Sequence, residues 1–264
     1  MRVAFVQMSC LFGRRNENLE KAEALISAHD ADLFVLPELF SSGYLFRSAE
    51  EVAASAEEIP SGPTSRFLAA LSAKKQCFIV AGVAEAAQGK VFNSALLVGP
   101  HGVLAVYRKT HLFLDEALWF TPGDTGFVVA DIGQARVGLM ICFDWIFPEA
   151  ARTLALKGAD VLCHPANLVL PYCQNAMTTR ALENGVFAVT ANRIGSEERD
   201  GQSLCFTGRS QIVDPRGRVL VAAGESEETV GIAEIAPEMA RDKMFTARNH
   251  LLKDRRPEMY ELRG

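Results

Sequence analysis

The chain has 264 residues, of which 49% are hydrophobic and 22% are charged, and its formal net charge at pH 7 is −5. This composition predicts a folded globular protein with enough apolar side chains for one core. The mixed charge argues against a nucleic-acid partner, which would require a clustered basic face, and no apolar run reaches the roughly 18–20 residues of a membrane span.

Six cysteines are scattered along the chain without a short paired motif: Cys10, Cys77, Cys142, Cys163, Cys173 and Cys205. Such spacing is typical of free thiols in a reducing compartment, so we expect a cytoplasmic protein without a disulfide framework.

The chain opens with a predicted β-α-β unit. Residues 3–8 form an apolar strand, residues 16–29 have a helical apolar stripe, and residues 32–36 form a second strand. The carboxyl end of this second strand leads to Glu38.

A loop over residues 40–46 follows, containing glycine, serines and aromatic residues that we expect to be exposed. Such a loop is better suited to form the wall of a pocket than to fill a core. Tyr44 is the candidate for that wall, although an ordinary packing role for this tyrosine is an equal alternative.

After a helix over residues 63–75, strands are predicted at 77–84 and 91–98, and a third strand from 103 ends at Lys109. Short turns connect these strands, and hairpins among β-α-β units indicate a mixed sheet.

Lys109 is followed by a long connection, residues 110–124, that carries Phe113, Glu116 and Trp119. Long ordered loops in compact domains usually have a function. Glu116 is therefore a candidate site residue, and a solvated loop carboxylate is the alternative.

Strands at 127–131 and 135–141 then lead to Cys142, and Pro148 begins the next helix. Cys142 is thus predicted on a strand-to-helix turn, where its side chain can stand clear of the sheet while the following N–H groups point at its target. The alternative is a small buried apolar cysteine, as most free cysteines are.

The remaining elements complete the fold and leave a polar C-terminal tail over residues 241–264. Helices are predicted at 148–157 and 177–184, strands at 161–163, 186–191, 206–213, 219–221 and 230–235, and a charged turn at 195–201.

Glu38, Lys109 and Cys142 all lie at carboxyl ends of predicted strands, where ligands collect in α/β sheets. A thiol needs a base or a nearby cation to become a nucleophile at neutral pH, and these two charged residues could supply both. The alternative is a structural salt bridge beside an uninvolved cysteine.

Three motifs resemble the signatures of the nitrilase superfamily of carbon–nitrogen hydrolases: Leu36-Pro37-Glu38, Arg108-Lys109-Thr110-His111-Leu112-Phe113 and Cys142-Phe143-Asp144. They occur in the family's order, and the likeness extends to residues 93–95, 165–167, 192–193 and 208–210. The resemblance implies an α/β fold, a four-layer α-β-β-α sandwich of two mixed sheets, in a single domain over residues 1–264. It also implies a homodimer or higher oligomer, with the 241–264 tail at the interface.

The resemblance further implies roles for the candidate residues. Glu38 would be the general base, Lys109 would remain charged and stabilise the developing oxyanion with the backbone N–H of Phe143, and Cys142 would be the nucleophile. Glu116 matches an additional family glutamate that would hold Lys109 or orient the substrate.

His111 and His164 could suggest a Cys–His pair. We instead expect His111 to be structural, as in the family motif, and His164 to be a core or hydrogen-bonding residue. Neither has a metal-ligand spacing, and no glycine-rich nucleotide loop is present, so we expect no metal and no cofactor.

The predicted reaction is hydrolysis of a small primary amide to a carboxylic acid and ammonia through a cysteine thioester. A nitrile or an N-carbamoyl compound is an alternative substrate, and a non-catalytic binding scaffold is an alternative of another class. Cys142-Phe143-Asp144-Trp145 departs from the Trp-Glu continuation of the true nitrilase branch, which favours the amide. The candidate pocket residues are Tyr44, Phe113, Trp119, Trp145, Asn167 and Val169.

Overall fold

The computed structural model describes residues 1–260. In its first half the strands are β1 (Arg2–Gln7), β2 (Leu33–Val35), β3 (Phe78–Ala87), β4 (Lys90–Gly99) and β5 (Gly102–Arg108). The later strands are β6 (Val128–Asp131), β7 (Arg136–Leu139), β8 (Val161–Ala166), β9 (Phe187–Asn192), β10 (Ser196–Arg199), β11 (Gln202–Cys205), β12 (Gln211–Val213), β13 (Val219–Ala222) and β14 (Thr229–Glu234). The helices are α1 (Arg15–Ser27), α2 (Ala49–Ser55), α3 (Pro63–Lys75), α4 (Glu116–Trp119), α5 (Pro148–Leu156), α6 (Cys173–Asn184) and α7 (Glu238–Arg241), with 3-10 helices at Cys142–Ile146 and Pro257–Met259.

Twelve of these fourteen strands form two six-stranded mixed sheets of similar design, and β10 and β11 pair separately. The first has the order β14-β1-β2-β3-β4-β5 and the second β13-β12-β9-β8-β7-β6. In each sheet three parallel strands, β1 to β3 or β7 to β9, are flanked by antiparallel ones. The carboxyl ends of the parallel strands carry the segments that hold Glu38 and Cys142.

Successive side chains of a strand point to opposite faces of its sheet, and this explains how the layers form. Val3 and Phe5 of β1 face the core between the two sheets, whereas Ala4 and Val6 face a second apolar cluster formed with helices α1 and α3. Helices α5 and α6 pack on the second sheet, against β7, β9 and β12. The predicted α-β-β-α sandwich of two mixed sheets is therefore confirmed.

The segment from 195 to 213 differs from its prediction. The charged turn expected at 195–201 is part of the β10–β11 hairpin, whose tip, Asp200-Gly201, has positive φ at both residues, as two-residue hairpin turns require. The strand expected at 206–213 is confined to β12, because Gly208 and Arg209 have left-handed φ angles that interrupt an extended ladder.

Other differences are smaller. Helix α6 begins at Cys173 rather than at 177, since Cys173, Met177 and Ala181 form one buried i, i+4 stripe. The short helix α4 lies in the long connection predicted after Lys109, and α2 lies between residues 46 and 63, where no element was predicted. The role of the tail at a dimer interface stays a prediction, and its residues 261–264 lie outside the described part of the chain. Across residues 1–260 we find no helix with both the length and the apolar content needed to cross a bilayer.

Candidate active site

Glu38 lies just beyond β2, in a segment that the adjacent strand holds in place. The Leu36 N–H donates to the Val80 carbonyl at 2.8 Å, and the Phe40 N–H donates to the Gly82 carbonyl at 3.2 Å. A Cβ atom on Gly82 would lie 2.4 Å from the Glu38 Cα, so only glycine allows this close approach. The backbone position of Glu38 is thus set by its contact with β3.

Lys109 follows β5, and its ammonium lies between two carboxylates. Its Nζ donates to Oε1 of Glu38 and to Oε1 of Glu116, each at 2.7 Å, and the lysine side chain is fully buried. Burial by itself disfavours the ammonium, but the charges of Glu116 and Glu38 raise the pKa of Lys109 well above its ordinary value. Lys109 is therefore a fixed buried cation.

Cys142 is the first residue of the 3-10 helix between β7 and α5, as predicted for a strand-to-helix turn. Its φ of +37° lies in the left-handed region, where a non-glycine residue is strained and often functional. The His164 Nε2 donates to the Cys142 carbonyl at 2.9 Å and also fixes this turn.

Asp144 organises the same turn from within. Its Oδ2 accepts from the Ile141 N–H at 2.9 Å and from the Tyr107 hydroxyl at 2.8 Å, and its Oδ1 accepts from His111 Nδ1 at 2.7 Å. The ring of His111 also stacks on Phe147. The expected structural role of His111 and hydrogen-bonding role of His164 are confirmed.

The surroundings of Cys142 favour its neutral form. Burial raises the pKa of the thiol, the carboxylate of Glu38 raises it further, and the ammonium of Lys109 opposes both, with the result well above the ordinary value. Cys142 therefore rests as a thiol and needs a base to become a nucleophile. Cys142 and Asn167 line the same pocket, Asn167 also contacts Glu38, and Glu38 pairs with Lys109, so the three predicted residues lie in one region.

The two carboxylate oxygens of Glu38 differ in their hydrogen bonds. Oε1 accepts from Lys109 and, at 2.7 Å, from Asn93 Nδ2, whereas Oε2 is buried and has no hydrogen-bond partner among residues 1–260. Asn167 Nδ2 donates to the Glu38 carbonyl at 2.9 Å, and Asn167 Oδ1 likewise has no partner within this range. The candidate site therefore contains two buried acceptors that are unpaired within the described residues.

Glu116 is buried, with 4% exposure, so the alternative of a solvated loop carboxylate is wrong. Its Oε1 also accepts from the Tyr44 hydroxyl at 2.6 Å, and its Oε2 accepts from the Phe113 N–H at 3.2 Å. Burial raises the pKa of Glu116, while Lys109 and Tyr44 stabilise its charged form.

The predicted pocket residues are divided between two cavities. A small open pocket contains Cys142 in its wall and is lined further by Phe113, Phe143, Trp145, Asn167, Leu168, Val169 and Leu170. Tyr44 and Trp119 instead line a larger pocket on the Glu116 side.

The loop over 40–46 was predicted with exposed aromatics, and this is wrong. Phe40 and Phe46 are buried, and Tyr44 packs edge-on against Phe206 while its hydroxyl reaches the site. Tyr44 therefore has both of the roles considered for it: it packs against Phe206, and it lines the pocket on the Glu116 side.

Sequence reasoning assigned no role to Asp144 or Asn93, although both lie in motifs that carried the family resemblance. The available signals differed: Asp144 comes just after a predicted strand, whereas Asn93 is a polar residue inside strand β4. Within the described range 1–260, no three His, Cys, Asp or Glu side chains are arranged to hold a metal ion.

Comparison with known proteins places these features in context. A family model described as carbon-nitrogen hydrolase matches residues 2–243. A nitrilase from Pyrococcus abyssi is 50% identical over 98% of this chain and 99% of its own length, and an (R)-stereoselective amidase from a Pseudomonas species is 38% identical over 97% and 92%. A mutant amidase from Nesterenkonia sp. AN1, with the acetamide moiety of fluoroacetamide covalently added at its active-site cysteine, aligns with a TM-score of 0.80 and 27% identity over 98% of this chain and 94% of its own.

Proposed function

Because the chain belongs to the carbon–nitrogen hydrolase family and is a hydrolase, we propose that it converts a small primary amide to a carboxylic acid and ammonia. The observation that carries this proposal is the buried array of Glu38, Lys109 and Cys142, in which one Glu38 oxygen has no partner among residues 1–260. A non-catalytic scaffold has no use for such an array, since buried charges and unpaired acceptors destabilise a fold.

The first half-reaction would use Glu38 as a proton carrier. Its free Oε2 takes the proton of the Cys142 thiol while the sulfur attacks the amide carbon. The negative charge that develops on the amide oxygen is stabilised by Lys109 and by the Phe143 N–H, since first-turn N–H groups of a helix lack partners within it. Glu38 then gives the proton to nitrogen, the C–N bond breaks, and ammonia leaves a thioester on Cys142.

The second half-reaction would reverse these roles. Glu38 takes a proton from water while the water oxygen attacks the thioester carbon, and the C–S bond breaks with return of a proton to sulfur. One amide and one water give one acid and one ammonia, and the residues end in their starting states.

Two features of the site favour an amide over a nitrile. Asn167 lines the Cys142 cavity and has a buried oxygen without a partner in the described chain, and the free Oε2 of Glu38 is a second acceptor. A primary amide carries two N–H donors that could satisfy such acceptors, whereas a nitrile carries none. The nitrile remains the second candidate because the relative that is 50% identical is named a nitrilase.

The cavity wall also restricts the acyl group. Besides Cys142 and Asn167, the residues that line the Cys142 pocket are all apolar, with three aromatic rings among them. None of the described residues 1–260 that line it is charged, so an ionised acyl group would lose its hydration without finding a counter-ion. We therefore infer that the acyl group is small and uncharged.

Ammonia release from matched substrates tests the proposal. Propionamide and propionitrile share one carbon skeleton, N-carbamoyl-propylamine is a carbamoyl compound with a similarly short alkyl chain, and succinamic acid and 4-aminobutyramide are amides with a negative or a positive charge. Turnover should be highest for propionamide and absent in Cys142→Ala. Turnover of the nitrile alone would overturn the amide assignment, and preference for a charged amide would overturn the assignment of the acyl group.

A further inference from the structure

A buried ion pair outside the proposed mechanism joins Arg193 to Glu197. Their side chains are 1% and 4% exposed, and Arg193 Nη1 lies 2.6 Å from Glu197 Oε1. Glu197 belongs to strand β10, in a stretch of charged residues whose sequence is typical of a solvated turn. A carboxylate buried in such a segment must interact with something inside the protein.

Glu197 binds the backbone of the loop that carries Tyr44. Its carboxylate accepts from the Tyr44 N–H at 3.1 Å and from the Leu45 N–H at 2.6 Å. The residue before them, Gly43, has φ +87°, and a Cβ atom there would lie 2.8 Å from Glu197 Oε1. The loop therefore has a glycine where the carboxylate approaches it.

Arg193 supports the ring of the same tyrosine through Phe206. Its guanidinium lies 4.2 Å from the centre of the Phe206 ring, and it also donates to the Cys10 carbonyl. The Phe206 ring packs edge-on against Tyr44, with 6.2 Å between the ring centres. The ion pair thus fixes both the backbone and the ring of Tyr44.

We propose that Glu197 is a positioning residue of the active site: paired with Arg193, it fixes the Tyr44 hydroxyl that holds Glu116 against Lys109. The hydroxyl donates to Glu116 Oε1 at 2.6 Å, and the same oxygen accepts from Lys109 at 2.7 Å. The inference rests on the proposed function, because it is through Lys109 that Glu197 would influence turnover.

A displaced Tyr44 would change the titration of Glu116. The titratable groups that act on this carboxylate include Lys109 beyond β5, Glu38 beyond β2, Tyr44 and Cys142. Burial and the charge of Glu38 favour protonated Glu116, whereas Lys109 and the Tyr44 hydroxyl favour the ionised form that holds Lys109. Loss of the hydroxyl contact should therefore move the acidic limb of the pH–activity profile to higher pH.

A double-mutant cycle with Glu197→Gln and Tyr44→Phe tests whether the two residues act in series. We expect Glu197→Gln to lower kcat/KM by about 10- to 100-fold, mainly through kcat, as small displacements of positioning groups do. The kcat/KM of the double variant should be no lower than that of the less active single variant. Both single variants should also show the acidic limb of the pH–activity profile at higher pH. The matched control, Glu198→Gln, changes the exposed neighbour on the same strand and should leave all parameters unchanged.

The opposite pattern would overturn the inference. Losses that multiply in the double variant, with an unchanged pH profile, would show that Glu197 supports only the fold. If Glu197→Gln does not fold, Glu197→Asp keeps the charge with a shorter reach and should show the same shift to a smaller extent; a wild-type pH profile with reduced thermal stability in that variant would also overturn it. A wild type that hydrolyses no amide, nitrile or carbamoyl compound would instead refute the proposed function itself.

Discussion

Two buried ionic clusters in this protein are built on opposite principles. In the first, one ammonium, Lys109, lies between two carboxylates, and Glu38 keeps an oxygen without a partner within residues 1–260. In the second, one guanidinium faces one carboxylate, and two backbone N–H groups also bind that carboxylate. Both clusters are almost fully shielded from solvent, so the difference lies in how well the charges are matched.

The difference shows how a buried charge can either hold structure or support chemistry. A carboxylate that has both a counter-ion and backbone N–H partners is stable and fixes the segments that it touches. A carboxylate in a cluster with surplus negative charge, and with an oxygen that has no partner, can take up a proton without first breaking a hydrogen bond. Glu38 in the Lys109 cluster has the second design and Glu197 in the Arg193 cluster has the first, although Arg193 Nε and Nη1 have no hydrogen-bond partner among residues 1–260.

Replacing the free acceptor should have the largest effect on turnover. We expect Glu38→Gln to lower kcat by about 10⁴-fold, the upper range for loss of a general acid–base, because no group can then move protons between sulfur, nitrogen and water. The same change removes a charge that raises the pKa of Cys142 and leaves Lys109, which lowers it. Alkylation of Cys142 by iodoacetamide at pH 7 should therefore be at least as fast as in the wild type.

Mass spectrometry of the Cys142 peptide measures that alkylation separately from Cys205, which is exposed. Cys142→Ala supplies the unlabelled control. Parallel loss of hydrolysis and alkylation would contradict the prediction and would mean that the charge of Glu38 does not govern the ionisation of Cys142.

The effects on protein stability should rank in the opposite order from the effects on turnover, with Glu197→Gln destabilising the fold more than Glu38→Gln. Glu197→Gln leaves the buried guanidinium of Arg193 without its counter-ion, which costs about 3–5 kcal/mol in comparable cases. In Glu38→Gln, Lys109 still has Glu116, and the amide oxygen can replace the carboxylate oxygen as acceptor, so the free energy of unfolding should change by no more than about 1 kcal/mol. Urea denaturation of both variants at pH 7, with Glu198→Gln as control, measures the difference. Equal losses in the two variants would show that the clusters do not differ as described.

The Lys109 cluster could be predicted from the sequence, whereas the Arg193 cluster could not. Glu38 and Lys109 follow apolar strands of the first sheet and Cys142 follows one of the second, so the strand directions bring them to the same end of the sandwich. Glu116 required the family resemblance as well, because a carboxylate in a loop has no local signal for burial.

Glu197 is buried for reasons that its own segment does not contain. Its partners are Arg193, which precedes the hairpin, and the backbone of Tyr44, more than 150 positions earlier. The neighbouring Glu198, Arg199 and Asp200 made the whole stretch look solvated, although Asp200-Gly201 carried a local signal for the hairpin turn. The buried aromatics of the 40–46 loop were mispredicted for the same reason, since Phe206 and the hairpin that cover Tyr44 are distant in sequence.

The smallest effect is expected from a substitution that shifts the position of Glu38 without changing any charge. Gly82→Ala leaves every charge of both clusters in place, but its Cβ atom would lie 2.4 Å from the Glu38 Cα and 2.7 Å from the Leu39 nitrogen. Because these are backbone atoms, Glu38 must shift relative to Lys109, and we expect kcat/KM to fall by about tenfold.

The matched control is Gly99→Ala on the adjacent strand β4, where the new Cβ atom would meet the side chains of Phe78 and Leu104 instead, at 2.8 and 3.0 Å. That variant should lose stability but keep its turnover at a temperature where it is folded, because the side chains that it displaces lie outside the site. Steady-state kinetics and thermal unfolding of the two variants separate the effects. Equal kinetic loss in both would mean that general loosening of the sheet, and not the placement of Glu38 against β3, limits the reaction.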